Sequence, residues 1–149
     1  MAEIWFYHLT RQPLERVLPS LLEKSLERGW RAVVQTSSEE RMRALDELLW
    51  TYSEESFLAH ATPHDGDPAM QPVYLTTGAE NPNEAKIRFY VDGAEVEAQD
   101  AYDRTILMFD GNDDDSLTQA RAQWKALKAS GCSLAYWQQN ENGGWDKKA

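Results

Sequence analysis

Two hydrophobic periods alternate along the first fifty residues, and that alternation limits the possible folds more than any other feature of the chain. Glu3 to Leu9 (EIWFYHL) is dense in aromatic and branched residues and predicts a buried strand, closed by the polar Thr10-Arg11-Gln12. From Pro13 onward Leu14, Val17, Leu18, Leu21, Leu22 and Leu26 recur at helical spacing with charged residues between them, and Gly29 marks the end of that helix. Pro19 sits inside the pattern and predicts a kink or a later start. Arg31 to Thr36 predicts a second strand. Ser37 or Ser38 then caps a helix with Glu39 and Glu40 in its first turn and Met42, Leu45, Leu48 and Leu49 on its apolar face. Right-handed crossovers turn such a strand-helix-strand-helix series into parallel strands side by side beneath helices. The expected class is α/β, with a mostly parallel central sheet flanked by helices.

The remaining chain extends this pattern. Ser53 to Pro72, with Pro63, Gly66 and Pro68, predicts a long surface loop. Val73 to Thr76, Ile87 to Val91 and Thr105 to Phe109 predict strands, with turns at Asn81-Pro82-Asn83 and Asp92-Gly93. Leu117 to Ser130 predicts a helix closed by Gly131, and Ser133 to Gln138 a last strand. At 149 residues the chain fits one domain, taken as residues 1–138. Gln139 to Ala149 reads as a polar tail with too few apolar residues to pack firmly. A single cysteine, Cys132, excludes an internal disulfide and a multi-cysteine zinc cluster, which suits a reducing compartment. No apolar run is long enough for a membrane helix, which needs about 20 residues, and the start lacks a basic leader with an apolar core, so a cytoplasmic location is expected.

Several chemistries lack their signatures. No Gly-x-Ser-x-Gly elbow occurs, and neither Gly-x-Gly-x-x-Gly nor a Walker A loop follows the first strand, where the connection reads Leu9-Thr10-Arg11-Gln12-Pro13. Without a nucleotide-binding glycine loop the backbone cannot approach a pyrophosphate closely, and no cofactor is expected. A nucleotide-dependent α/β enzyme with an unrecognised phosphate loop stays as the alternative. His60 and His64 lie four apart, but Pro63 disfavours the helix that would join them on one metal, so a solvated loop is expected and no metal. Asp113-Asp114-Asp115 reads as a helix cap rather than a magnesium site, and Cys132 as a small core residue.

Charge is unevenly spread. The chain carries −10 overall, which opposes a phosphate backbone as its main ligand, so contact with DNA is expected only indirectly. Residues 91–115 hold nine acids against Arg104, whereas residues 116–149 hold five bases against two acids. Within that last stretch Arg121, Lys125 and Lys128 share one helical stripe with Trp124 beside them, and Leu117 to Ser130 contains no acid. Such a stripe fits a short acidic peptide with an apolar end; an ordinary basic surface with Trp124 in the core remains open beside it. A second feature is Leu45-Asp46-Glu47-Leu48-Leu49-Trp50 running on to Phe57 and Leu58. Large apolar groups at a helix end either fold onto the core or present a patch to a partner. Direct binding of single strands through Trp5, Trp30 or Trp124 is a third possibility.

These segments resemble the chi subunit of bacterial DNA polymerase III. The family's second helix ends Leu-Asp-Glu-x-Leu-Trp and continues to Glu-Ser-Phe and a nearby His, matched by Leu45 to Trp50, Glu55-Ser56-Phe57 and His60. Its last helix opens Asp-Ser-Leu and carries Ala-Arg-x-x-aromatic-Lys before a Gly, matched by Asp115-Ser116-Leu117, Ala120-Arg121, Trp124-Lys125 and Gly131, while Phe6-Tyr7 matches its first strand. The likeness covers most of the chain apart from about Pro68 to Tyr102. It implies a Rossmann-like domain without nucleotide catalysis: a non-enzymatic subunit of the polymerase III holoenzyme associated with the clamp loader. Such proteins bind the acidic C-terminal tail of single-stranded DNA-binding protein, which ends in aspartates and a terminal Pro-Phe. By position, Arg121, Lys125 and Lys128 would meet the tail's carboxylates and Trp124 its last phenylalanine, while Trp50, Phe57 and Leu58 would form the patch for the psi subunit or an equivalent clamp-loader component.

Overall fold

The computed structural model describes residues 3–10, 14–51, 60–63, 71–78, 80–96, 102–142 and 144–148. The expected alternation opens the chain: β1 (Glu3–Leu9), α1 (Leu14–Glu27), β2 (Ala32–Gln35) and α2 (Glu39–Thr51). Then follow β3 (His60–Ala61), β4 (Val73–Thr76), β5 (Ile87–Tyr90), β6 (Arg104–Asp110), α3 (Asp114–Ala129), β7 (Ser133–Gln139) and β8 (Trp145–Lys147). They build one sheet in the order β3-β4-β2-β5-β6-β1-β7-β8. Every pairing is parallel except β7 with β8.

Strand alternation sorts side chains to the two faces. Tyr7 and Leu9 of β1, Ile106 and Met108 of β6 and Phe89 of β5 pack against Val17, Leu18 and Leu22 of α1 and Met42, Leu45 and Leu49 of α2. Ile4, Phe6, Leu107 and Phe109 point to the opposite face, where Ala120 and Leu127 of α3 cover them. Adjacent strands β1 and β6 therefore send their helices to opposite faces, the arrangement of a doubly wound sheet.

Local chemistry accounts for the element ends, and the structure adjusts several expected boundaries. Pro19 neither ends α1 nor delays it. The ring removes one intrahelical bond while its apolar surface is buried on the core side, as are Val17, Leu18 and Leu22. Ser38 caps α2, its Oγ accepting from the Arg41 amide at 3.3 Å. α3 begins earlier than its apolar pattern suggests, because Asp113 is the N-cap and accepts from the Ser116 amide at 3.1 Å. The stretch expected as loop from Ser53 to Pro72 contains the short strand β3, paired parallel with β4. The tail also differs from expectation: β8 pairs with β7, and Trp145 stacks on Tyr7 at 4.6 Å between ring centroids. Backbone pairing and one indole supply what the polar tail lacks in apolar residues. Among the described residues no helix is long and apolar enough to cross a membrane.

Candidate basic ridge on α3

Helical geometry builds the ridge. Ala120, Trp124 and Leu127 face the sheet, and each is followed by a cation, Arg121, Lys125 and Lys128. One residue is about 100° of turn, so the three cations border the inward stripe as a row along its side. All three are exposed and form no ion pair or hydrogen bond with the described residues. The Asp113 cap and the acids Asp114 and Asp115 occupy the first turn of α3, a full turn or more before Lys125, while Lys128 lies in the last turn.

Trp124 belongs wholly to neither of the two readings left open by the sequence. Its indole meets Phe6 edge-on, with ring centroids 5.2 Å apart, and Tyr136 edge-on at 5.7 Å, yet it keeps a half-exposed surface. Around it lies a cluster that spacing along the sequence does not reveal. Tyr136 of β7 packs edge-on against Phe109 at 6.1 Å, and its hydroxyl lies 2.7 Å from His8 Nδ1. His8 and Tyr136 are 128 residues apart, and only the parallel pairing of β1 with β7 brings them together. The signal available in the sequence was alternation: Phe6 and His8 share a face of β1, as Leu134 and Tyr136 share one of β7.

Electrostatics tie the cluster to the ridge. Burial, followed by the nearby Arg121 cation, holds His8 below its ordinary value, with Asp110 opposing. Burial pushes the Tyr136 phenol up, and Arg121 partly offsets it. A cation row beside half-exposed aromatic rings, with a neutral imidazole behind, can attract carboxylates while an apolar group docks on the rings.

The second predicted patch falls mostly outside the described residues. Trp50 lies within α2, whereas Phe57 and Leu58 are outside them. His64 is outside them as well. Among the described residues no group of three His, Cys, Asp or Glu side chains gathers around a possible metal position. A cleft of about 540 Å³ opens where β1 and β6 end and α1 and α3 begin. Its polar lining includes Glu15, Asp92 and Asp110, and its guanidinium, Arg41, is held by Asp92 at 3.1 Å and Glu15 at 3.0 Å. That lining suits a phosphate poorly.

Comparison with known proteins bears on what such a ridge serves. A family model described as DNA polymerase III chi subunit, HolC, matches residues 1–135. The chain is also similar to a protein of Rickettsia prowazekii (strain Madrid E) described as a probable DNA polymerase III subunit chi. The two are 28% identical over 96 residues, covering 64% of this chain and 58% of that relative's length. β8 and most of β7 lie beyond the matched family region. On the extent of the family match, the chain belongs to the DNA polymerase III chi subunit family.

Proposed function

We propose that this chain is a non-catalytic accessory subunit of a bacterial DNA polymerase III holoenzyme, cytoplasmic and associated with the clamp loader. It captures the acidic C-terminal tail of single-stranded DNA-binding protein on α3 and so bridges coated template to the replicase. Arg121, Lys125 and Lys128 meet the tail's carboxylates, and Trp124, backed by Phe6 and Tyr136, receives the terminal phenylalanine. The observation that carries the reading is the row of three cations, unpaired among the described residues, along a half-exposed indole, in a chain whose family is the chi subunit. A second partner, psi or an equivalent clamp-loader component, docks around Trp50, Phe57 and Leu58.

The net charge agrees with this division of labour. A −10 chain repels bare phosphate at long range, whereas a local ridge acts within a screening length of roughly 10 Å at 0.1 M salt. A pull-down with single-stranded DNA-binding protein, intact or lacking its final residues, tests the tail assignment. Retention of the intact protein alone is expected; equal retention of both moves the contact away from the tail. Phe57→Ala is expected to keep the thermal midpoint and to lose the second partner on co-purification, and an unfolded variant would assign Phe57 to the core instead.

A further inference from the structure

The sheet end formed by β1, β7 and β8 has a second face, opposite α3. α1 reaches this face over Tyr7 and Leu9 of β1, and Trp5, Trp137 and Trp145 pack at the margin of the same cluster. Aromatic rings line that margin. Trp5 and Trp137 lie 5.3 Å apart between ring centroids, and Trp145 is stacked on Tyr7. All three indoles are half-buried.

Cations border these rings. The Arg104 guanidinium sits 3.9 Å above the Trp5 ring, and Arg28 sits 5.4 Å from the centroid of Trp30, which Arg104 also approaches at 5.6 Å. Lys147 follows Trp145 by two residues on β8 and pairs with Trp137, so it shares this face. Neither Arg28 nor Arg104 forms an ion pair with the described residues. The one carboxylate recorded against the rings is that of Glu3, which accepts from Trp5 Nε1 at 3.0 Å. Two buried donors, Arg104 Nε and Trp137 Nε1, have no acceptor among the described residues. The patch therefore offers half-buried rings bordered by positive charge, with Glu3 the one carboxylate recorded against them.

Single-stranded nucleic acid supplies the complement: flat bases that stack on rings and guanidinium planes, and phosphates that accept. An acidic peptide with one apolar end would satisfy the cations and use one ring, whereas a row of half-buried rings on adjacent strands matches successive bases. We propose that this face is a weak, sequence-tolerant docking surface for single-stranded DNA, back to back with the basic ridge across the sheet. The choice of DNA over RNA rests on the polymerase family, and the charge rests on Arg104 and Lys147 of the sheet and Arg28 in the turn after α1. The Trp145 and Lys147 part of this surface lies on β8, beyond the matched family region.

Fluorescence anisotropy of the full chain with an oligothymidylate of about 20 nucleotides at about 50 mM salt tests this. Saturable binding is expected, with a log-log salt slope of about −2 for some three phosphates neutralised. Arg28→Glu combined with Lys147→Glu, both exposed positions, is expected to weaken it at least ten-fold with an unchanged thermal midpoint. Arg121→Glu combined with Lys125→Glu is expected to leave it within two-fold. Absence of binding up to roughly 100 µM protein overturns the proposal. So does equal binding by the Arg28/Lys147 variant, ten-fold tighter binding of oligouridylate, or loss of acidic-peptide binding in that variant, which would make the face a peptide site. The two double variants separate this face from the ridge on α3, so either assignment fails alone.

Discussion

His8 is the titratable group nearest the centre of the ridge. Burial and Arg121 hold its folded-state value below the ordinary 6.5, so the folded protein favours the neutral ring. That contribution is fully present above the unfolded value and is lost as pH falls through the folded one. Thermal midpoints are expected to decline between pH 7.5 and 5.5, and His8→Gln to flatten the part of the slope due to this ring. A protonated His8 adds positive charge beside Arg121, so an acidic peptide is expected to bind more tightly at pH 6 than at pH 8, with the difference reduced in the same variant. Arg88 poses the opposite problem, a cation sealed inside the fold at 0% exposure. Its guanidinium donates to Gln35 Oε1, the Tyr102 hydroxyl at 2.9 Å and the carbonyls of Gly78 and Glu80. Among the described residues no helix covers this side of β4, β2 and β5, and Arg88 ties Gly78 and Glu80 to it. Arg88→Ala leaves those acceptors unpaired and a cavity besides, with an expected cost of about 3–5 kcal/mol measured by urea unfolding.

At the level of elements, the sequence was most legible where the period was sustained. β1, α1, β2 and α2 announce themselves because one face of each is apolar and each is bounded by a polar break, a glycine or a cap. β3 carries no such signal, since two residues cannot display a period and its pairing with β4 depends on their neighbours. β8 was illegible for a related reason: it contributes one large apolar side chain, and its stability comes from backbone pairing with β7 and the stack of Trp145 on Tyr7. Trp145→Ala is expected to lower stability by about 1–2 kcal/mol, read as a shift in the urea midpoint. In the ridge, the row Arg121, Lys125, Lys128 was visible from helical spacing alone. Its aromatic backing was not, because Phe6, His8, Phe109 and Tyr136 come from three strands that only the sheet order brings together. Trp124 could be placed in either environment on spacing, and the structure gives it a share of both.

Across the molecule, charge and topology divide along the same line. The acid-rich stretch 91–115 contains β6 and the turn into α3, while the net-positive stretch 116–149 forms most of α3 with β7 and β8. Cations thus gather at one end of a negatively charged body, on both sheet faces, where local attraction survives long-range repulsion. Isothermal titration calorimetry with a synthetic peptide ending in aspartates and Pro-Phe tests the central claim most directly. The chain is expected to bind at micromolar affinity, about −8 kcal/mol, and more weakly as salt rises. Arg121→Glu with Lys125→Glu is expected to abolish that heat while leaving the thermal midpoint nearly unchanged, whereas undiminished binding by the folded variant would contradict the assignment.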